Sequence, residues 1–136
     1  MLKRKVYEDL LKWKKEANGK ALCIIGARQI GKTTLIREFG KNEYEHFAEL
    51  NFVTDQRAAD IFNDKLTAET IITNLTAYLQ TPLEPGKTLI LFDEVQECPR
   101  VRSAIKSLVE DGRFDYIESG SLLGVRYKEI SSYPVG

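Results

Sequence analysis

Nine residues near the start of the chain limit its possible folds more than any other feature. The stretch GARQIGKTT, Gly26 to Thr34, follows directly on the apolar run ALCII, residues 21–25. It fits the pattern G-x-x-x-x-G-K-[ST], in which the glycines let successive backbone N–H groups turn towards an anion. The pattern predicts a buried strand, a phosphate-binding loop and a helix that begins near Lys32 with its positive end at the loop.

The residue types in this loop match the groups of a nucleoside triphosphate. Lys32 can reach the β- and γ-phosphates as a compact charge, and the Thr33 hydroxyl can ligate Mg²⁺. A glycine-rich turn that contains a lysine by chance is the alternative, but the strand before and the helix after favour the phosphate loop. The residues predicted to contact the nucleotide are Gly26, Ala27, Arg28, Gln29, Ile30, Gly31, Lys32, Thr33 and Thr34.

A second apolar run ends in two acids. TLILFDEV, residues 88–95, predicts a strand with Asp93 and Glu94 at its carboxyl end. Ligands of an open α/β sheet bind at this edge. Asp93 is therefore predicted to face Mg²⁺ through a water, and Glu94 to orient or deprotonate an attacking water. An acidic pair alone could simply meet solvent; the loop, 61 residues earlier from Lys32 to Asp93, makes it a candidate site.

A further strand is predicted over FDYIESGS, residues 114–121, and it also ends in polar residues. Ser119 and Ser121 are expected to emerge at the same edge as the acidic pair, because parallel strands share their carboxyl edge. Either hydroxyl could then take part in the predicted site. A serine that caps a helix or closes a turn is an equally good interpretation.

The rest of the chain alternates between helical and strand patterns. Helices are predicted over residues 3–17, about 32–39 with a stop at Gly40, 55–64, 67–80 and 100–112, and a strand over 46–52. This alternation predicts an α/β fold with a mostly parallel sheet, helices on both faces and right-handed crossovers. We expect one domain over residues 1–136: an amphipathic helix in 1–20 and a nucleotide-binding core in 21–136.

Composition excludes several classes of protein. Lysine and arginine together number 20, as do aspartate and glutamate, so the basic excess of a dedicated nucleic-acid binder is absent. No run approaches the ~18 apolar residues of a membrane span, and no secretory leader precedes the first helix, so a cytoplasmic protein is expected. Cys23 and Cys98 lack the paired spacing of a metal site, and His46, the sole histidine, is predicted to lie at the surface or in packing.

Three segments together carry a resemblance to a known family. GARQIGKTTLIREF, LILFDEVQECPR and IESGSLLGV resemble a group of bacterial and archaeal AAA-type ATPases, over nearly all 136 residues. The resemblance implies ATP and Mg²⁺ as cofactors, with the triphosphate at residues 26–34, the magnesium at Thr33 and Asp93, the water at Glu94 and a sensor at Ser121. It also implies an additional-strand sheet, with the fourth strand between the first and third.

The sequence departs from this group after SSYPVG, residues 131–136. Members of the group continue into a fifth strand, a small helical region and a C-terminal domain. By that comparison the chain is expected to be a truncated core without the fifth strand, leaving the strand at 21–25 on the sheet edge, where it could self-associate. AAA-type hydrolysis also commonly needs an arginine from elsewhere. Spacing places none of Arg28, Arg100 and Arg102 in that role, so slow hydrolysis is expected.

Two functions fit the sequence, and a third fits it less well. The first is a Mg²⁺-dependent ATPase whose hydrolysis changes the conformation of a C-terminal domain absent from this chain. The second is a non-hydrolytic module in which ATP only orders the protein or its assembly. A small-molecule kinase is disfavoured because no arginine-rich lid segment is visible. Nucleic acid is not indicated as a partner, and no base-reading tetrapeptide selects adenine or guanine.

Overall fold

Four parallel strands form the sheet of the described structure, a computed structural model that covers residues 2–16, 19–26 and 31–121. In chain order they are β1 (Ala21–Gly26), β2 (His46–Asn51), β3 (Thr88–Asp93) and β4 (Asp115–Ser121). Their order across the sheet is β1-β4-β3-β2, with all pairs parallel. The fourth strand therefore lies between the first and third, as the resemblance implied, and the predicted α/β fold is confirmed.

The two central strands are buried along their whole length. All six residues of β3 and all seven of β4 are buried, as expected for parallel strands covered on both faces. Side chains of β3 alternate between the faces, with Leu89 and Leu91 in one apolar cluster and Ile90 and Phe92 in the other. Asp93 therefore belongs to the face of Leu89 and Leu91.

Helices cover both faces of this sheet. On the face of Leu91 lie α1 (Leu2–Lys14) and α2 (Lys32–Glu43), which contribute Leu10, Trp13, Ile36 and Phe39 to the apolar cluster. On the face of Phe92 lie a 3₁₀ helix (Gln56–Phe62), α3 (Ala68–Tyr78) and α4 (Arg100–Asp111). None of the described helices is long and apolar enough to cross a membrane.

Helix α2 continues past the predicted stop at Gly40 and ends at Glu43. Gly40 is buried against β2: a Cβ atom on it would lie 2.2 Å from Cδ1 of Phe47. The glycine therefore serves close packing of the helix on the sheet rather than a left-handed helix end. The prediction was wrong because the sequence shows the glycine but not the ring that packs against it.

Other elements also differ from the prediction in type or in length. The segment predicted as a helix over residues 55–64 is a 3₁₀ helix, Gln56–Phe62, capped by the Asp55 side chain, which accepts from the N–H of Arg57 at 3.2 Å. Strand β3 ends at Asp93, two residues before the predicted end, because Glu94 adopts a left-handed conformation. The chain then turns into a short 3₁₀ segment, Val95–Glu97.

The predicted absence of a fifth strand concerns residues 122–136, which lie outside the described part of the chain. Within the described residues, β1 pairs on one side only, with β4, and is one edge of the sheet. Cys23 and Cys98 are both buried. His46, at the start of β2, pairs through Nε2 with Glu84, in agreement with the predicted surface role.

Candidate functional site

The carboxyl ends of the strands and the start of α2 meet at one edge of the sheet. Gly26, the last residue of β1, pairs with Ser121 of β4. Asp93, the last residue of β3, pairs with Ser119 of β4 on one side and with Asn51 of β2 on the other. Strand register therefore brings the last residue of β1 and polar residues of β2, β3 and β4 to this edge, where open α/β sheets bind ligands.

Helix α2 follows the loop in sequence, and no side-chain cap is recorded at its N-terminus among the described residues. Gly31 precedes the helix with φ 100° and ψ −14°, a left-handed conformation that favours glycine. Gly31 has no side chain that could cap the helix, and the first helical hydrogen bond runs from the Leu35 N–H to the Gly31 carbonyl at 2.8 Å. The first N–H groups of α2 and its positive end are therefore available to an anion.

Thr33, in the first turn of α2, contacts the end of β3 directly. Its hydroxyl Oγ1 donates a hydrogen bond to Oδ2 of Asp93 at 3.2 Å, across 60 residues of sequence. Hydroxyl and carboxylate oxygens are the hard ligands that Mg²⁺ prefers, usually with several waters kept. Thr33 and Asp93 therefore carry oxygen ligands that would hold a magnesium ion at this edge.

Lys32 extends along the same edge towards β4. Its Nζ donates to the carbonyl oxygen of Gly120 at 2.7 Å. The ammonium group is half-buried at the strand ends, beside the loop. A lysine in this position is a compact charge that can turn from a carbonyl to a phosphate oxygen without moving its backbone.

The Asp93 carboxyl is almost fully buried, at 4% exposure, and carries several hydrogen bonds. Oδ1 accepts from the backbone N–H of Glu94 at 2.9 Å, and Oδ2 accepts from Nδ2 of Asn51 at 3.5 Å in addition to Thr33. Burial raises the pKa of Asp93, the Glu94 N–H lowers it by a smaller amount, and the neighbouring charges of Glu94 and Glu49 raise it further. The environment disfavours an uncompensated charge, which a bound cation would compensate.

Glu94 has an unusual backbone conformation, and one of its two carboxylate oxygens accepts a hydrogen bond. Its φ of 57° makes it the one non-glycine residue with positive φ among those described, a conformation that costs on the order of 1 kcal/mol for an ordinary L-residue. Its carboxylate oxygen Oε1 accepts from Nε2 of Gln96 at 2.7 Å. The sharp turn directs Glu94 away from the line of β3 while its side chain stays half-buried at the edge.

The two serines of β4 share a face of the sheet with Asp93. They lie two residues apart, and Ile117, two residues earlier, packs in the cluster under α1 and α2. Ser119 is level with Asp93, and its Oγ is buried with no hydrogen-bond partner among the described residues. Ser121 is level with Gly26, and its backbone N–H donates to Oε1 of Gln96 at 3.2 Å. Both serines therefore stay candidates for the predicted sensor.

The other predicted residues are placed only in part. Ala27, Arg28, Gln29 and Ile30 lie outside the described residues, whereas Thr34 is exposed on α2. Arg100 donates to backbone carbonyls, from Nε to Phe62 and from Nη2 to Asp64, the latter at 3.2 Å. Nη1 of Arg102 lies 3.7 Å from Sγ of Cys23. These contacts join α4 to neighbouring elements.

Sequence reasoning missed three groups at this edge. Asn51 contacts Asp93 with its amide nitrogen, and its Oδ1 accepts from the N–H groups of Val53 and Thr54 at 2.8 and 2.9 Å. The Gly120 carbonyl and the Gln96 side chain are the other two. Only Asn51 had a usable signal, because it is the second-last residue of the strand predicted over 46–52 and must therefore lie near the same edge as Asp93.

A comparison with protein families agrees with this geometry. The sequence model described as an AAA domain matches residues 18–136, which is most of the chain. A comparison with curated proteins found no match. The matched region contains the loop, the acidic pair and the whole sheet. The chain therefore belongs to the AAA domain family, within the AAA-type P-loop ATPases.

Proposed function

We propose that this domain binds ATP with Mg²⁺ at the edge formed by residues 26–34 and the acidic pair, and that it hydrolyses the γ-phosphate. The single observation that carries the proposal is the 3.2 Å hydrogen bond from Thr33 to Asp93. It brings a loop suited to phosphates and a carboxylate suited to a metal into direct contact. A phosphate-binding turn without a metal role would not require this contact.

Each group at the edge has a role in this proposal. Backbone N–H groups of the loop and of the first turn of α2 bind phosphate oxygens, and Lys32 turns from Gly120 to the β- and γ-phosphates. Thr33 and Asp93 hold Mg²⁺, which neutralises charge on the phosphates. Glu94 orients a water molecule, with Ser121 or Ser119 beside it as the sensor.

The chemical step transfers the γ-phosphoryl group to water. The water oxygen forms a bond to the γ-phosphorus, and the bond from that phosphorus to the β–γ bridging oxygen breaks. Glu94 accepts a proton from the water, and the bridging oxygen stays on ADP with the electron pair of the broken bond. The products are ADP and inorganic phosphate. Arg100 contacts Phe62 and Asp64, and Arg102 contacts Cys23, so we expect neither to serve the γ-phosphate and hydrolysis by this chain alone to be slow.

The alternative is a module that binds nucleotide without hydrolysis, and Glu94 separates the two. We expect Glu94→Gln to lower phosphate release by about 100-fold or more, since it removes the proton acceptor. ATP affinity, measured by calorimetry with Mg²⁺, should change by less than about twofold, because the amide keeps an oxygen for Gln96. Glu97→Gln, an exposed neighbour, is the matched control.

Two results would contradict the proposal. Equal phosphate release from the wild type and Glu94→Gln would favour the non-hydrolytic module. A wild type that binds none of ATP, ADP and GTP in the same titration would contradict nucleotide binding itself.

The finer parts of the proposal concern the setting of this activity. Hydrolysis would change the conformation of a C-terminal domain, in the cytoplasm, where ATP and Mg²⁺ are available.

The open side of β1 in the described sheet supports pairing with another strand or a second copy of the chain. Size-exclusion chromatography with light scattering across a concentration series measures this association.

A further inference from the structure

Gln96 contacts both its near neighbour in sequence, Glu94, and the end of β4, which lies 25 residues later. It lies half-buried in the short 3₁₀ segment after β3. Its Nε2 donates to Oε1 of Glu94 at 2.7 Å, and its Oε1 accepts from the N–H of Ser121 at 3.2 Å. An ionised carboxylate only accepts and a peptide N–H only donates, so these two partners together fix which way the amide points.

The anchor of Gln96 is a peptide group that Lys32 also contacts. The Gly120 carbonyl, which accepts from Nζ of Lys32 at 2.7 Å, and the Ser121 N–H belong to one peptide unit. That unit lies at the end of β4, a strand whose seven residues are all buried. The Lys32 ammonium group, expected to bind the phosphates, and the Glu94 carboxylate, expected to orient water, are therefore both held by the same peptide unit. Lys32 contacts this unit directly, and Glu94 contacts it through Gln96.

Glu94 depends on this link for its direction. Among the described residues, Gln96 is the one hydrogen-bond partner of the Glu94 carboxylate. The other carboxylate oxygen, Oε2, makes no hydrogen bond within the described part of the chain, so it stays available to a water. A glutamate without such an anchor samples several rotamers, and a general base acts only within hydrogen-bond reach of its proton.

We propose that Gln96 is a positioning residue that holds the Glu94 carboxylate against the Gly120–Ser121 peptide and so aims its second oxygen at the attacking water. The role deepens the proposed function and rests on it. It differs from the role of Glu94 because Gln96 acts only through Glu94 and touches neither phosphate nor metal. Its loss should therefore reduce turnover and leave nucleotide binding intact.

Gln96→Met tests the role, because methionine keeps the length and approximate volume of the side chain but makes neither hydrogen bond. We expect kcat to fall about tenfold or more, with KM for Mg·ATP and the calorimetric Kd within about twofold of the wild type. Gln96→Ala should behave alike, and Gln56→Met, at an exposed position on the 3₁₀ helix, is the matched control with unchanged kinetics. Wild-type kcat in both Gln96 variants would overturn the inference.

A double-mutant comparison separates positioning from simple packing. In a Glu94→Ala background, Gln96→Met should lower the residual rate by less than about twofold, because the residue it positions is gone. The same tenfold loss in both backgrounds would overturn the inference.

Nitrogen-15 NMR distinguishes failure of this inference from failure of the proposed function. The Gln96 carboxamide signals should shift on Glu94→Ala, and the Ser121 amide signal should shift on Gln96→Met, whether or not ATP is turned over. Carboxamide signals unaffected by Glu94→Ala in a protein that hydrolyses ATP would overturn the inference alone. Clear NMR coupling in a protein that neither binds nor hydrolyses ATP would overturn the function, and the catalytic role of Gln96 with it.

Discussion

At the scale of single residues, Asp93 combines two properties that stability alone would not select. Its carboxyl is 4% exposed, and burial raises its pKa, with the charges of Glu94 and Glu49 adding to the effect. The folded state therefore binds a proton at Asp93 more tightly than the unfolded state does. A site that must hold a cation commonly carries such a cost when the cation is not bound.

This pKa shift predicts how stability depends on pH. Above the folded-state pKa of Asp93 the buried charge lowers the free energy of unfolding, and the penalty fades as the pH falls towards the unfolded value of about 3.9. We expect Asp93→Asn, without Mg²⁺, to be more stable than the wild type at pH 7.5, with the gain shrinking as the pH approaches 4. Urea denaturation over this range measures it.

Asp9→Asn, at an exposed position on α1, is the control, and its stability should stay within about 0.5 kcal/mol of the wild type throughout. A loss of stability in Asp93→Asn at pH 7.5, or a gain independent of pH, would contradict this account of Asp93.

At the scale of elements, a buried ion pair joins α1 to the sheet at the edge opposite the candidate site. Nζ of Lys20, which is fully buried, lies 3.2 Å from Oδ2 of Asp115 and also donates to the carbonyls of Lys14 and Glu16 at the end of α1. The Tyr44 hydroxyl donates to the same Asp115 oxygen at 2.5 Å, and burial raises the pKa of Tyr44. The group fixes α1 against the amino ends of β1 and β4.

Breaking this pair should affect folding without affecting nucleotide binding. We expect Lys20→Met to lower the free energy of unfolding by about 3 kcal/mol, because it leaves the Asp115 charge buried without its cation. Lys12→Met, at an exposed position on the same helix, should change it by less than about 0.5 kcal/mol. Urea denaturation measures both, and calorimetry on the folded variants should give wild-type ATP affinity. A large loss of affinity in folded Lys20→Met would contradict the separation of the two edges.

The elements could be predicted where the signal is local. Continuous apolar runs identified β1 and β3, because a strand buried on both faces consists mostly of apolar residues. Apolar residues spaced three and four apart identified α3 and α4, because such a helix buries one side only. Gly40 misled the prediction because its role depends on Phe47 of another element. The sequence alone does not mark Lys20 as buried, because its partner, Asp115, lies 95 residues away.

At the scale of the whole molecule, strand order decides which residues meet. Lys32, Thr33, Asp93 and Glu94 could be chosen from the sequence, since a loop motif and a strand end are recognisable alone and both belong at the carboxyl edge. The position of β4 between β1 and β3 came from the family resemblance and not from periodicity. The contacts of Gln96 and Asn51 depend on register and rotamers across several strands, so no local pattern carries them.

The central claim is that the loop and the acidic pair form one Mg·ATP site, and the Mg²⁺ dependence of ATP affinity tests it most directly. Calorimetry of the wild type, Thr33→Ala, Asp93→Asn and the double variant, each with Mg²⁺ and with a chelator, measures that dependence. We predict that Mg²⁺ tightens ATP binding to the wild type by about tenfold or more, that either substitution removes most of this gain, and that the double variant loses no more than the single ones. Affinity that is indifferent to Mg²⁺ in the wild type, or losses that multiply in the double variant, would contradict the claim.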